Sequence, residues 1–481
     1  MANAGIQRTA GALLVACLDA AAEGHAATIR VPQNYSTIQA AINAASNGDV
    51  ILVSRGTWTG GLTIAGKTIT LASNFHTTGD PLDISQTIID GGAPILTIEA
   101  GVGAATTIKG LTFRNGDYQL VNFARRVNIL NNRFINGAGD QVSFEGAGGF
   151  VRDCFFDNAY DDGIDSDDNS DPVIERNTIQ NSGDDGIEVR LQGFSGPALE
   201  VVIRDNHISG AGEDGIQLID YAGPSARTFR IEQNVIVNNA DAGIGTMADG
   251  NSVENLAGAP MVEEVRIISN TLSGNPHGIT GGDNMLVMNN IIVNCAQIGV
   301  KRVSGSSLVT YNGFWNNGTN YTSSNVNAAS SVFQNPLLDA NYNLQPGSPA
   351  IDEGAPSIVW NGNTIVAPPY AGPAPDLGAN ETSASVGIEV PVRVDWAIGA
   401  VRPNPAREGF AVAFSLPDDT GARIDVLDLH GRRVLGRNLA GIGRGAHVVI
   451  FPEARELAAG VYWVRLGQGG RSLATRVVVV K

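Results

Sequence analysis

One short phrase recurs along this chain, and it limits the possible folds more than any other feature. The copies read Gly110-Leu111-Thr112-Phe113-Arg114-Asn115, Asn131-Asn132-Arg133-Phe134-Ile135-Asn136 and Asp153-Cys154-Phe155-Phe156-Asp157-Asn158. Arg176-Asn177-Thr178-Ile179-Gln180-Asn181 and Asp205-Asn206-His207-Ile208-Ser209-Gly210 follow, and later copies centre on Ile236, Leu272, Ile292 and Phe314. The apolar centres are 21, 22, 23, 29, 28, 36, 20 and 22 residues apart. Short apolar runs with Asn and Gly at the corners, repeating near 22 residues, describe the coil of a parallel β-helix. Each coil stacks about 4.8 Å from the next. A lone coil cannot bury its apolar face, whereas a stack makes a continuous core.

The expectation is therefore an all-β solenoid of at least nine coils between Val50 and Asn316. The nine apolar centres, Phe113 to Phe314, should form one inward column. A second column, Asn132, Cys154, Asn177, Asn206, Asn234, Asn270, Asn290 and Asn312, reads as an internal ladder at a corner. There Asn can donate and accept along the stack and tolerate left-handed geometry. Cys154 and Cys295 lie several coils apart, so no disulfide is expected between them.

An open β-helix end invites edge-to-edge association, so the stack needs caps. Ser36-Thr37-Ile38-Gln39 reads as a capping box. Ile38, Ala41, Ile42 and Ala45 share one helical face, and Val50 to Val53 reads as the first strand. Together with Val31-Pro32, Tyr35 to Ile42 and Gly48-Asp49-Val50-Ile51, this start resembles that of right-handed parallel β-helix proteins of the pectate-lyase-like superfamily. Leu344-Gln345-Pro346-Gly347-Ser348-Pro349-Ala350-Ile351-Asp352 and Pro375-Asp376-Leu377-Gly378-Ala379-Asn380-Glu381 resemble their closing segments. The resemblance covers residues 28–381 and implies a right-handed β-helix with an N-terminal capping helix. It implies no single activity, because function belongs to sites and not to folds.

Charge divides the chain. From Val394 onward there are 12 Lys and Arg against 8 Asp and Glu, and the remainder holds 19 against 40. This change of sign predicts a boundary, with a linker over 382–393 and a separate module over 394–481. The module shows five alternating runs, Phe410 to Leu416, Ala422 to Leu429, Ala446 to Phe451, Gly460 to Leu466 and Leu473 to Val480. That pattern predicts a small β-sandwich. Asn404-Pro405, Val426 to Val434, Leu457 to Tyr462 and Arg476 to Lys481 are similar to the Ig-like C-terminal sorting domain of type IX secretion. The similarity implies the type IX machinery as a partner and a secreted or outer-surface bacterial location. At the other end, Arg8, the apolar run Thr9 to Leu18 and Gly24-His25-Ala26 predict a signal peptide over 1–27. Leu14-Val15-Ala16-Cys17 also fits a lipobox, which leaves lipidation of Cys17 open. No apolar run reaches the roughly 18–20 residues of a spanning helix. The acidic balance and the lack of a basic stripe argue against nucleic acid. A monomer is expected.

A second phrase follows each Asn corner: Gly139-Asp140-Gln141-Val142, Asp161-Asp162-Gly163-Ile164-Asp165, Asp184-Asp185-Gly186-Ile187-Glu188 and Glu213-Asp214-Gly215-Ile216-Gln217. Asp140, Asp162, Asp185 and Asp214 align as one column. Asp161, Asp184, Glu213 and Asp241 form another, and Asp165 and Glu188 begin a third. Stacked carboxylates repel by about 3–4 kcal/mol per neighbouring pair if partly shielded. Raised pKa values, cationic partners or a divalent ion can offset that repulsion. Asp-Gly corners are also ordinary turn chemistry. Asp165-x-Asp167-x-Asn169-x-Asp171 alternates oxygen ligands but lacks the Gly and Glu that complete an EF-hand loop. Arg190, one coil after Asp167, is placed to pair with it.

Two resemblances bear on chemistry. Asp161-Asp162-Gly163-Ile164-Asp165 with Asp140 is similar to the calcium site of the ninth pectate lyase family. It implies Ca2+ at Asp140, Asp161, Asp162 and Asp165, with Asp167 beside them. That family uses a lysine base, yet no lysine lies between Lys109 and Lys301, which leaves Arg190 as the substitute. Asp162-Gly163-Ile164-Asp165 followed by Gly183-Asp184-Asp185 resembles the aspartates of polygalacturonase-type hydrolases. Their histidine is missing from the next coil, which holds Glu213-Asp214. The candidate catalytic set is Asp162, Asp184, Asp185 and Arg190, and the partner is a polysaccharide. Insertions after the acidic strands, Gln192 to Pro197, Asp220 to Arg227 and Ala248 to Glu263, are expected to wall one face. Tyr160, Phe194 and Tyr221 are candidates to stack on sugars. Three readings stand: a calcium-dependent lyase, a glycoside hydrolase, or a noncatalytic adhesive surface protein.

Overall fold

The structure is a computed structural model that describes residues 26–480 apart from 222, 224, 249, 251–253, 383–395, 408, 417–420 and 440–444. Nearly all of the expected signal peptide, Cys17 included, and nearly all of the expected linker lie outside the described residues; of the former, Ala26 and Ala27 are described, and the Ala27 N–H donates to Asp49 Oδ1. The chain divides into two compact units, Met1–Ala384 and Ser385–Lys481.

In the first unit each coil gives one short strand to each of three parallel sheets. Val127–Leu130 lies in the first sheet, Arg133–Ile135 in the second and Val142–Glu145 in the third. The first sheet has 12 strands and the other two have 11 each, so the stack passes the nine coils expected. The winding is that of a right-handed β-helix. Phe113, Phe134, Phe156, Ile179, Ile208, Ile236, Leu272, Ile292 and Phe314 are successive register partners in the second sheet. None is more than 1% exposed. The rings of Phe113, Phe134 and Phe156 stack with centroids 5.0 and 4.9 Å apart, which is the coil spacing itself. A one-residue slip would turn this column outward, so burial fixes the register.

The asparagine column is an internal ladder. Asn206 Oδ1 accepts the N–H of Asn177 at 3.0 Å, Asn234 Oδ1 that of Asn206 and Asn270 Oδ1 that of Asn234. Each Nδ2 donates to a carbonyl one coil back, as Asn206 does to Ile174. Cys154 takes its rung by accepting the Asn132 N–H on sulfur at 3.4 Å. The left-handed residues are not the ladder members but those just before them: Asn131, Asp153, Arg176, Asp205, Gln233, Ser269, Asn289 and Tyr311, with φ of 53–59°. The bend is made one position earlier, and the ladder side chain secures it. Cys154 and Cys295 are both buried and free, as expected.

The N-terminal cap differs in detail from its expectation. The first strand is Thr28–Val31, which pairs with Val50–Val53. Helix α1, Ile38–Ala44, is capped by Thr37, whose side chain accepts the Ala40 N–H. Gln39 does not close a capping box. It bonds Asn43, and it exchanges two hydrogen bonds with the Thr63 backbone. Ile38, Ala41 and Ile42 are buried against the first coil, as the helical face predicted. At the far end Leu344, Ala350 and Leu377 cover Ile291 and Val293 on the outer face of the second sheet.

The second unit is a small β domain of two antiparallel sheets. One holds Ala397–Arg402, Phe410–Leu416 and Gly445–Phe451; the other holds Arg433–Asn438, Ala422–Leu427, Gly460–Gln468 and Arg471–Val479. Phe410, Val412, Ile424, Val426, Phe451, Val464, Leu466 and Val477 fill the space between them. The five expected strands are present, and Ala397–Arg402 and Arg433–Asn438 are additions.

Candidate functional site

The acidic phrases enter the third sheet. Val142, Ile164, Ile187, Ile216 and Ile244 are register partners and belong to the core. Alternation then places Ser143, Asp165, Glu188, Gln217 and Gly245 on the outer face. Two residues before each core position stand Asp140, Asp162, Asp185 and Asp214, which are 6, 3, 0 and 0% exposed.

These four carboxylates form a second ladder. Asp140 Oδ1 accepts the Asp162 N–H at 3.2 Å, and Asp162 Oδ1 accepts that of Asp185 at 2.8 Å. Asp185 Oδ1 accepts the Asp214 N–H at 2.7 Å, and Asp214 Oδ1 accepts that of Ala242 at 2.6 Å. One oxygen per coil thus ties neighbouring coils together, as in the asparagine ladder. The second oxygen is another matter: Asp185 Oδ2 is buried without a hydrogen-bond partner. Burial pushes Asp140 up to about 7, with Asp161 and Asp167 adding and Arg190 opposing. Burial, then the neighbouring carboxylates, holds Asp162, Asp185 and Asp214 well above the usual carboxylate range.

One residue earlier runs the solvent-facing row. Asp161 is exposed, and Asp184 and Glu213 are half-buried. Asp184 is raised to about 6 by burial, then by Glu213 and Asp161. Tyr160 is 78% exposed beside them. Tyr160, Asp161 and Asp184, with Asn158, Gly137 and Gly183, line an open recess of about 520 Å3. Tyr118, one coil before Asp140, is 41% exposed, and its phenol is raised chiefly by Asp140.

Arg190 lies over the outer strip. Its Nη2 is 2.6 Å from Glu188 Oε1 and its Nε is 3.4 Å from Asp167 Oδ1. Burial works against its charge, but Glu188, a hydrogen bond to Tyr221, Asp165 and Asp167 outweigh it, and the guanidinium is held protonated. The insertions do reach the acids. Gln192 accepts the Asp168 N–H and donates to Asp167, and the Glu254 N–H donates to Glu213 Oε2. They also lengthen first-sheet strands, to Phe194–Arg204 and Ser225–Glu232. A Cβ at position 245 would sit 1.8 Å from Asp214 Oδ2 and 2.6 Å from Glu254 Oε2. Glycine there lets the inserted Glu254 close over Asp214.

Among the described residues, carboxylate oxygens gather in three groups, each with mutual distances within 4.8 Å: Asp140–Asp161–Asp162, Asp162–Asp165–Glu188 and Asp184–Asp185–Glu213. Asp167 stands outside all three, engaged by Arg190 and Gln192. The Asp165 to Asp171 run does not close into one loop, because Asp171 pairs with Arg125. Glu188 and Glu213 join the groups although neither was singled out as a ligand; the coil repeat, which aligns them with Asp165 and Asp184, carries that information. Phe194 borders a different recess with Arg125, Arg126 and Asp171. His277 pairs in register with Ala242, two coils beyond Asp214, and Arg302 donates to the Ala257 carbonyl.

Residues 97–257 match the family Right handed beta helix region, and residues 400–481 match the Secretion system C-terminal sorting domain. No curated protein matches the sequence. Among solved structures, the chain is similar to the catalytic unit of a thermostable GH87 alpha-1,3-glucanase from Streptomyces thermodiastaticus. Identity is 14% and the TM-score 0.41, over 61% of this chain and 63% of that one. It is similar to a PL6 family alginate lyase at 14% identity and a TM-score of 0.39, over 80% of this chain and 60% of the other. The chain thus spans about three fifths of the length of these two structures. A periplasmic alginate epimerase matches at 13% identity and a TM-score of 0.37, over 59% of this chain and 76% of that one. Among the described residues no helix is long and apolar enough to cross a membrane. The chain thus joins a right-handed parallel β-helix to a C-terminal secretion-system sorting domain, which marks it for secretion to the cell surface or the extracellular space.

Proposed function

We propose that this secreted β-helix binds a polysaccharide along the edge of its third sheet and, acting as a monomer, cleaves it there. The observation that carries this reading is the recess where exposed Tyr160 stands beside Asp161 and Asp184, directly over the buried aspartate ladder. A tyrosine face can stack on a sugar ring. Asp184, with its pKa near 6, keeps a proton available close to neutrality and suits the general acid of a hydrolysis. Burial, then Glu213 and Asp161, sets its electrostatics, while Asp162 and Asp185 are buried in the ladder and do not touch the glycan. Arg190, ion-paired to Glu188 and Asp167, suits charge stabilisation better than proton abstraction, so hydrolysis is favoured over a lyase reaction.

Asp140, Asp161 and Asp162 fit a calcium ion, since oxygens within 4.8 Å of one another match two ligands at about 2.4 Å from a shared centre. Calcium there would supply positive charge beside a bound glycan. The ladder hydrogen bonds of Asp140, Asp162, Asp185 and Asp214 favour a second reading, a noncatalytic adhesive protein, because they give those residues a purely structural use. A product assay separates the readings. The secreted protein with calcium is offered pectins, alginates and neutral glycans. New reducing ends that Asp184→Asn lowers at least 100-fold support hydrolysis. Unsaturated, ultraviolet-absorbing ends would establish a lyase, and neither product would leave the adhesive reading.

A further inference from the structure

We infer that a second divalent cation is held beneath the surface by Asp162, Asp165 and Glu188. This goes beyond the glycan site, because these three side chains are 3, 6 and 0% exposed and cannot meet a polymer. Their carboxylate oxygens nevertheless converge within 4.8 Å. Two details point to a ligand and not merely to crowding. Asp165 Oδ1 and Glu188 Oε2 are buried and have no hydrogen-bond partner. A buried charged oxygen left unpaired is expensive, and proteins satisfy such atoms with a donor or a metal. The charged donor at this place is already spent. Arg190 is engaged by Glu188 Oε1, Asp167 and Tyr221, and the Asp185 N–H goes to Asp162 Oδ1.

Charge and chemistry agree. One arginine faces four carboxylates, Asp162, Asp165, Asp167 and Glu188, so the cluster retains an excess that a dication offsets. The donors are all hard oxygens, without nitrogen or sulfur, which suits calcium, and then magnesium or manganese, over zinc. The fold supplies the geometry. Asp165 and Glu188 are register partners on adjacent coils, and Asp162 reaches in from the corner three residues before Asp165. Such an ion would clamp two coils together where the acidic columns weaken the stack.

The test uses the full chain, stripped with chelator and titrated with calcium alone, then with magnesium and manganese. Bound metal is counted calorimetrically and by elemental analysis, and melting is followed in parallel. Glu188→Gln is expected to lose one ion and most of the calcium-induced rise in Tm. Asp161→Asn, at the surface site, is expected to keep that ion. Gln already occupies the next position of the same column, at Gln217, where it is fully buried, so the substitution fits the fold. Asp165→Asn provides a second reading of the same loss. A chain that binds no calcium, or a Glu188→Gln variant that binds as many ions as the parent, overturns the inference. Glycan cleavage is scored separately, so failure of either claim leaves the other standing.

Discussion

Asn206 shows how much one side chain contributes in a coiled stack. It accepts the Asn177 N–H and donates to Ile174 O and Asn234 Oδ1, all out of reach of water. Asn206→Ala should leave a buried N–H and a buried carbonyl unpaired and cost about 2–4 kcal/mol. Chemical denaturation of the two proteins would show it as a lower midpoint; a change under about 0.5 kcal/mol would contradict the ladder's role. The asparagine column was legible in the sequence because its members repeat with the coil. Which residue adopts the left-handed bend was not, since Asn131 and Asn132 are the same residue type and only backbone geometry separates them. The aspartate column was equally visible. That one oxygen of each carboxylate would be committed to a backbone N–H was not, because this depends on the turn's exact path. Glu188 was visible in register with Asp165, but its convergence with Asp162 and Asp165 was not, because that depends on how side chains from two coils turn toward one another.

At the scale of elements, the closing segment holds one acid at an unusual pKa. Glu381 ends the closing segment, accepts the Ala371 and Asp376 N–H groups, and is pushed up to about 7 by burial, then by Asp376 and Asp352. A carboxyl whose folded pKa lies above its unfolded value of about 4.3 binds more protons when folded. Its contribution is therefore fully present below about pH 4 and is lost as pH rises through 7. Glu381→Gln, which cannot ionise, should match the parent's Tm at pH 4 and gain on it steadily up to pH 8. A pH-independent difference would contradict the assignment. Strands filled by apolar alternation, such as Phe410–Leu416, could be read directly. Arg433–Asn438 could not, because most of its side chains are exposed or half-exposed and its partner strand carries the core. The reach of the Ala248 to Glu263 insertion back to Asp214 was also illegible, as Glu254 belongs to no repeat.

Over the whole molecule, charge is sorted by role. The β-helix carries the acidic excess, and its third sheet concentrates it on a few coils. The arginines beside Glu175 on the first sheet, Arg152, Arg176 and Arg204, are engaged by that carboxylate and do not serve the acidic strip. The sorting domain carries the basic balance and directs export. On the proposed function, the recess beside Tyr160 is where this exported solenoid meets its glycan, whether or not it cleaves it. Affinity electrophoresis through gels cast with single polysaccharides, with and without calcium, reads that contact out. At least one glycan should retard the protein, and Tyr160→Ala should weaken the retardation about tenfold or more, a loss of roughly 1–3 kcal/mol for an aromatic–sugar contact taken by analogy with aromatic–base stacking. Retardation that Tyr160→Ala leaves unchanged would contradict it by placing the glycan elsewhere on the molecule.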